Sequence, residues 1–218
     1  TLTIDGDTVL NGEFDFQVHG DTSADLLDVN GLVTLGGTLV VNETSAGAPT
    51  AGQTITLIGS DAVSGTFSGL PEGATVTAGT GEQFVISYVG GDGNDVVLFT
   101  GTPETLVELD GSGNLVVTDI NNDSADDLTI SFDAGTNEYV VADAVLTVAT
   151  TGFAAGQVSR PDAQTVRIDA SAILGSVTVD TVNASGDTQN DAVTVSGTDP
   201  LLVSGGGLTI TTGSSAAD

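Results

Sequence analysis

The feature that most constrains this chain is its rhythm. Two to five strand-forming residues are followed by Gly, Asn, Asp or Ser and then by another short run, and helical periodicity is nearly absent. Leu2-Thr3-Ile4, Phe14-Asp15-Phe16-Gln17-Val18, Leu27-Asp28-Val29, Leu39-Val40-Val41 and Ile55-Thr56-Leu57-Ile58 set the pattern in the first hundred residues. Phe84-Val85-Ile86-Ser87-Tyr88-Val89 and Val96-Val97-Leu98-Phe99 read as a hairpin joined through Gly90-Gly91-Asp92-Gly93-Asn94-Asp95. The pattern continues through Leu115-Val116-Val117, Leu128-Thr129-Ile130-Ser131-Phe132, Tyr139-Val140-Val141, Val145-Leu146-Thr147-Val148, Thr165-Val166-Arg167-Ile168, Val177-Thr178-Val179, Val193-Thr194-Val195, Leu201-Leu202-Val203 and Leu208-Thr209-Ile210. Strands this short and this evenly spaced fit a sandwich or a solenoid.

An internal echo favours the solenoid. Residues 20–41 read GDTSADLLDVNGLVTLGGTLVV and residues 186–210 read GDTQNDAVTVSGTDPLLVSGGGLTI, so Gly20, Asp21, Thr22, Asp25, Leu27, Val29 and Gly31 fall on Gly186, Asp187, Thr188, Asp191, Val193, Val195 and Gly197. A unit of roughly 20–25 residues with two short strands and a glycine turn is the size of one coil. One coil cannot bury its apolar face alone; stacked in parallel at about 4.8 Å per coil, it can. The expected fold class is therefore all-β, a parallel β-solenoid with an antiparallel hairpin closing one segment. Gly101-Thr102-Pro103 marks the boundary, because proline cannot donate to a sheet ladder. Residues 1–101 are expected to form coils ending in the closing hairpin. Residues 102–218 are expected to open a second stretch, with coils resuming at about 171–218. The glycine-poor stretch from about 138 to 170, which holds Arg160 and Arg167, reads as an antiparallel excursion or a cap, its arginines paired with nearby acids such as Asp162 and Asp169.

Charge narrows the function classes. Thirty acidic side chains face two arginines and no lysine, for a formal net charge of -28. Nothing here can neutralise nucleic-acid phosphates or favour an anionic membrane surface, and no apolar run is long enough for a transmembrane helix. The apolar content is too high for disorder. Cysteine is absent, so no disulfide or thiolate site holds the fold. So many carboxylates repel one another unless cations screen or bind them, which predicts a salty or calcium-containing medium. The absence of methionine, with no signal peptide at Thr1, predicts a processed product or an excised piece.

DAVSGTFSGLPEGATV at 61–76 followed by FVISYVGGDGNDVVL at 84–98 resembles the module that closes many bacterial right-handed β-helix surface proteins, such as those with autotransporter-associated β-strand repeats and very large planctomycete-type exported proteins. LVELDGSGNLVVTDINNDSADDLTISFD at 106–133 is similar to the segment that opens such helices. The resemblance implies an extracellular, cell-surface location and a structural or adhesive role. A closing module ahead of an opening one, with residues 203–210 able to run on into Thr1-Leu2-Thr3-Ile4, predicts self-association head to tail or tandem repetition.

Gly90-Gly91-Asp92-Gly93-Asn94-Asp95-Val96-Val97-Leu98 fits the glycine-rich calcium nonapeptide of repeats-in-toxin proteins. Asp92, Asn94 and Asp95 are thus candidate Ca²⁺ ligands; the alternative is a hairpin turn with solvated acids. A looser pattern places an acid before apolar residues at +2 and +4, in Asp25, Asp126 and Asp191, with Asp21, Asp123 and Asp187 upstream. These turns can align acids along one edge and recruit Ca²⁺ weakly, or simply cap backbone donors. Catalysis finds little support: His19 is the single histidine, tryptophan is absent and aromatics are 4% of the chain. The expected function is a non-enzymatic structural subunit of a bacterial surface filament, sheath, stalk or matrix. The alternatives are an adhesin whose partners are cell-surface glycans, and a polysaccharide-degrading β-helix enzyme.

Overall fold

The structure is a computed structural model that describes residues 1–20, 23–44, 49–91, 93–120, 125–144, 146–182, 191–196 and 207–212. The described residues are all-β, with a single 3-10 turn at Ala170–Ala172. The chain divides into two compact units. The first holds Thr1–Thr102 with Arg160–Ala163; the second holds Pro103–Ser159 and Gln164–Asp218.

The first unit is built from β1 (Leu2–Asp5), β2 (Thr8–Leu10), β3 (Glu13–Val18), β4 (Leu27–Leu35), β5 (Thr38–Glu43), β6 (Thr54–Ser64), β7 (Thr75–Thr77), β8 (Gln83–Gly90) and β9 (Asp95–Thr100). β1 pairs with β4 in parallel, Leu2 opposite Leu27. β2 pairs with the second half of the same strand, Thr8 opposite Val33. β3 pairs with β5, Glu13 opposite Thr38. All three pairings join residues 25 apart, as does the hydrogen bond from Asn30 to Asp5. Period-2 alternation explains why the pile holds: Phe16, Val18, Val29, Val33, Leu39 and Val41 point inward and are buried, while the residues between them face out. Glycines stack too. A Cβ on Gly37 would lie 2.0 Å from the carbonyl oxygen of Gly12, so only glycine permits this approach.

β6 adds a third parallel layer on β4, with Leu27 opposite Ile58. The direction then reverses: β9 pairs antiparallel with β6, β8 with β9 and β7 with β8. This hairpin carries the best-buried part of the core, including Phe84, Ile86, Leu98 and Phe99. Phe67 packs at its side, donating its backbone N–H to the Tyr88 hydroxyl, which in turn donates to the Leu70 carbonyl at 2.7 Å.

The second unit contains β10 (Pro103–Leu109), β11 (Leu115–Asp119), β12 (Asp127–Asp133), β13 (Glu138–Asp143), β14 (Thr147–Thr151), β15 (Val158–Ser159), β16 (Thr165–Asp169), β17 (Val177–Asp180), β18 (Ala192–Ser196) and β19 (Leu208–Thr211). β14 therefore begins at Thr147, past the start of the run expected at 145–148. Parallel pairing joins β10 to β14, β11 to β17, β17 to β19 and β12 to β18. Antiparallel pairing joins β10 to β11, β12 to β13, β13 to β16 and β15 to β16. The stretch from 138 to 169 is thus only in part the antiparallel excursion expected: β13, β15 and β16 pair antiparallel, whereas β14 lies parallel to β10. Asp110 closes the β10–β11 turn: its Oδ1 accepts the Ser112 and Asn114 backbone N–H groups, both at 2.8 Å. The expected run Leu201-Leu202-Val203 and most of the echo at 186–210 lie outside the described residues.

The arginines correct one expectation. Arg167 pairs across the strands with Glu138 at 3.0 Å and Asp133 at 3.5 Å rather than with Asp169, because β16 lies beside β13 and Arg167 and Asp169 share a strand. Asp169 instead accepts the Ser171 backbone N–H at 2.9 Å and starts the 3-10 turn. Arg160, counted in the first unit, is 1% exposed and sits over the Phe99 ring at 5.5 Å. Its Nη2 donates to the Ala163 carbonyl, and Glu72 is the acid that acts on it most strongly, ahead of the expected Asp162.

Candidate functional site

The turn between β8 and β9 uses its polar residues to fasten itself to β6. Asp95 accepts the Ser60 backbone N–H at 3.1 Å, Ser60 donates its hydroxyl to the Asn94 carbonyl at 2.7 Å, and the Asn94 amide donates to the Asp61 carbonyl at 3.2 Å. Asn94 and Asp95 are therefore together and half-buried; Asp92 lies outside the described residues. Asp25, also in the first unit, is exposed; it accepts the Gln17 backbone N–H at 3.2 Å and lies 3.9 Å from His19 Nε2. Asp21, Asp123 and Asp187 lie outside the described residues. Of the acids expected to line one edge, Asp25 belongs to the first unit and Asp126 and Asp191 to the second.

Asp191 has company that spacing alone did not reveal. In the second unit four strand ends meet at one corner. Asp119 ends β11, Asp126 immediately precedes β12, Asp143 ends β13 and Asp191 immediately precedes β18. The pairings force this. Asp143 faces Leu128 across β12–β13, Thr105 of β10 faces Asp119, and Asp127 faces Ala192 across β12–β18, which puts Asp191 next to Asp126. Each acid also lies in phase with the inward residues of its strand. Leu115, Val117 and Asp119 share a face, as do Asp126, Leu128 and Ile130, and Tyr139, Val141 and Asp143; all nine are buried. The period that fills the core therefore carries three carboxylates inside, with Asp119 5%, Asp126 2% and Asp143 3% exposed.

Backbone donors satisfy part of this negative charge. Asp143 accepts the Leu146 N–H at 2.7 Å and the Asp127 N–H at 3.2 Å, so it ties the ends of β12 and β14 together. Asp191 accepts the Asp126 N–H at 3.2 Å. Asp126 itself accepts the Thr105 hydroxyl through Oδ1 at 3.2 Å, whereas its Oδ2 is enclosed and has no hydrogen-bond partner. Burial and then the neighbouring Asp119, Asp143 and Asp191 carboxylates push the Asp126 pKa up to about 7, only partly offset by Thr105. Every charge acting on Asp126 is negative.

Asp126 was legible as the head of an acid–apolar–apolar motif. Asp119 and Asp143 were not, although each closes the same phrase, Val116-Val117-Thr118-Asp119 and Val140-Val141-Ala142-Asp143. Extending the inward phase of those valines by two residues would have marked both acids as buried. Among the described residues no three His, Asp or Glu side chains already converge on one point as metal ligands. Comparison with protein-family models, with curated proteins and with solved structures finds no match to this chain.

Proposed function

We propose that this chain is a non-enzymatic structural module of a bacterial extracellular surface: a right-handed β-solenoid that stacks end to end as a subunit of a filament, sheath, stalk or matrix. The observation that carries the reading is the constant 25-residue offset through three strand pairs of the first unit, followed by the parallel β4–β6 pairing at an offset of 30–31. A chain that repeats at a fixed offset templates each layer on the one before it, so backbone ladders along one axis supply the stiffness. The resemblance of residues 61–98 and 106–133 to surface β-helix proteins supports the extracellular assignment. A net charge of -28 keeps such bodies from clumping sideways and gathers counterions.

End-to-end stacking is supported by two strands that, among the described residues, each pair on one side: β1 with β4, and β19 with β17. They read Leu2-Thr3-Ile4-Asp5 and Leu208-Thr209-Ile210-Thr211. A β19 edge of one copy laid parallel on β1 of another puts Leu208 opposite Leu2 and Ile210 opposite Ile4, which continues both apolar columns. Leu2 is 63% and Ile210 39% exposed, and an apolar cleft of about 250 Å³ beside β1 is lined by Leu2, Ile4, Leu10, Phe14, Phe16 and Leu27 among others. Unpaired strand edges are templates for pairing with another chain.

Electron microscopy of the purified chain, run beside light scattering over a range of concentrations, tests this reading. Filaments with a regular axial spacing are expected. Particles that stay monomeric at high concentration would remove end-to-end stacking from the account.

A further inference from the structure

We infer that the corner where β11, β12, β13 and β18 meet binds one hard divalent cation, calcium by preference, held by Asp126 with Asp119, Asp191 and the Thr105 hydroxyl. This goes beyond the scaffold reading and does not rest on it.

The warrant is an imbalance that the fold leaves in place. Asp126 is only 2% exposed, and its Oδ2 is enclosed at the corner with neither solvent access nor a hydrogen-bond donor. Burying a carboxylate without a partner costs several kcal/mol in general, and structures normally compensate such a group with a counter-charge. Among the described residues no cationic side chain does so. Of the two arginines, Arg167 is engaged by Glu138 and Asp133, Arg160 belongs to the first unit, and lysine is absent. Among the described residues, the nearby backbone N–H groups of Asp126, Asp127 and Leu146 go to Asp191 and Asp143. A cation is what the corner lacks.

The donor chemistry selects the ion. All the candidate ligands are oxygens, and the unit has no histidine or cysteine, so zinc and copper have no suitable partners. Magnesium demands a near-ideal octahedron, whereas calcium accepts six to eight oxygens in irregular arrangements. That tolerance fits carboxylates arriving from separate strand ends, which close on the ion by side-chain rotation while the ladders stay in place. Asp143, with both oxygens held by backbone N–H groups, stays a structural brace rather than a ligand. The expected affinity is that of extracellular modules, about 0.1–1 mM.

The test uses the full chain, stripped with EDTA and held at pH 7.5 in about 0.5 M NaCl, which shrinks the Debye length below about 5 Å and suppresses loose binding to exposed acids. Calcium chloride is titrated calorimetrically, and the melting temperature is read with and without calcium. One site with a calcium-dependent rise in melting temperature is expected in the wild type. Asp126→Asn, which keeps the shape and removes the charge, is expected to melt no lower than the wild type in EDTA and to lose the calcium response; Asp95→Asn is expected to keep it. No binding heat and no shift in the wild type would overturn the inference, as would an Asp126→Asn protein that responds in full. Should Asp126→Asn fail to fold, Thr105→Val supplies the second arm, with at least a several-fold weaker calcium affinity expected and an unchanged affinity counting against the site.

Discussion

Asp25 and Asp126 head the same phrase, an acid two and four residues ahead of buried apolar side chains, and they meet opposite fates. Leu27 and Val29 follow the first, Leu128 and Ile130 the second, and all four are buried. Yet Asp25 is exposed beside His19, whereas Asp126 is enclosed among three other carboxylates. The difference lies in what each unit brings to the start of the strand. In the first unit the layers follow at 25 and then 30–31 residues, and acids on one layer meet amides on the next: Asn30 donates to Asp5 at 2.7 Å and Asn42 to Asp15 at 2.8 Å. In the second unit the excursion through β13 and β16 separates parallel partners by 62 residues at Leu115–Val177 and brings one additional strand end, that of β13 with Asp143, to the corner. A regular stack matches acid to amide layer by layer. An interrupted one gathers acids from distant segments, where nothing local corrects the charge.

The largest expected effect tests the regular stack. Gly37→Ala places a Cβ against the Gly12 carbonyl, a backbone atom that cannot swing aside. A loss of about 3 kcal/mol or more is expected in urea unfolding, against about 0.5 kcal/mol or less for Gly111→Ala in the second unit, where the added Cβ meets nothing within 4 Å. Equal effects would mean that the close stacking of glycines is not what holds the first unit.

The next is set by pH and belongs to the second unit. Asp126 has a folded pKa of about 7, above its ordinary value of 3.8, so between those limits the native state binds the proton and the unfolded chain does not. Stability is therefore lowest above pH 7 and rises as pH falls toward 5, by of the order of 2–3 kcal/mol in EDTA. Asp119, Asp143 and Asp191 face the group and share in the titration. Burial raises Glu72 in the first unit as well, which acts in the same direction. Hydrogen bonds hold Asp110, Asp133 and Asp169 below their ordinary range, so their contribution is present at neutral pH and disappears only as the solution becomes strongly acidic. Melting curves from pH 8 to 3 should show a maximum near pH 4. A curve that is flat in wild type and in Asp126→Asn alike would show that the corner carries no buried charge.

Asn30→Asp converts the acid–amide match of the first unit into the acid–acid clash of the second. A loss of about 1 kcal/mol at low ionic strength is expected, shrinking in salt because the pair is exposed, with circular dichroism melts as the measure. The smallest effect is that of Arg167→Gln. Its partners are reached at 3.0 and 3.5 Å but lie near solvent, so a fall of about 2 °C or less in melting temperature is expected.

The sequence by itself determined the strand class, the inward phase and the reversals. Alternation of apolar and polar residues leaves a strand one way to face, and glycine with Asn or Asp between runs marks the turns, so the hairpin through residues 90–95 was legible and the excursion through 138–169 was so in its antiparallel strands but not in β14, which lies parallel to β10. Which strand lies beside which was decided only in three dimensions. Parallel partners are chosen by backbone ladders between segments 25 to 31 residues apart in one unit and 31 to 65 in the other, and no local pattern encodes that distance. The acidic corner is the consequence: Asp119, Asp126, Asp143 and Asp191 each follow local rules for the end of a strand, and only the tertiary pairing makes them neighbours.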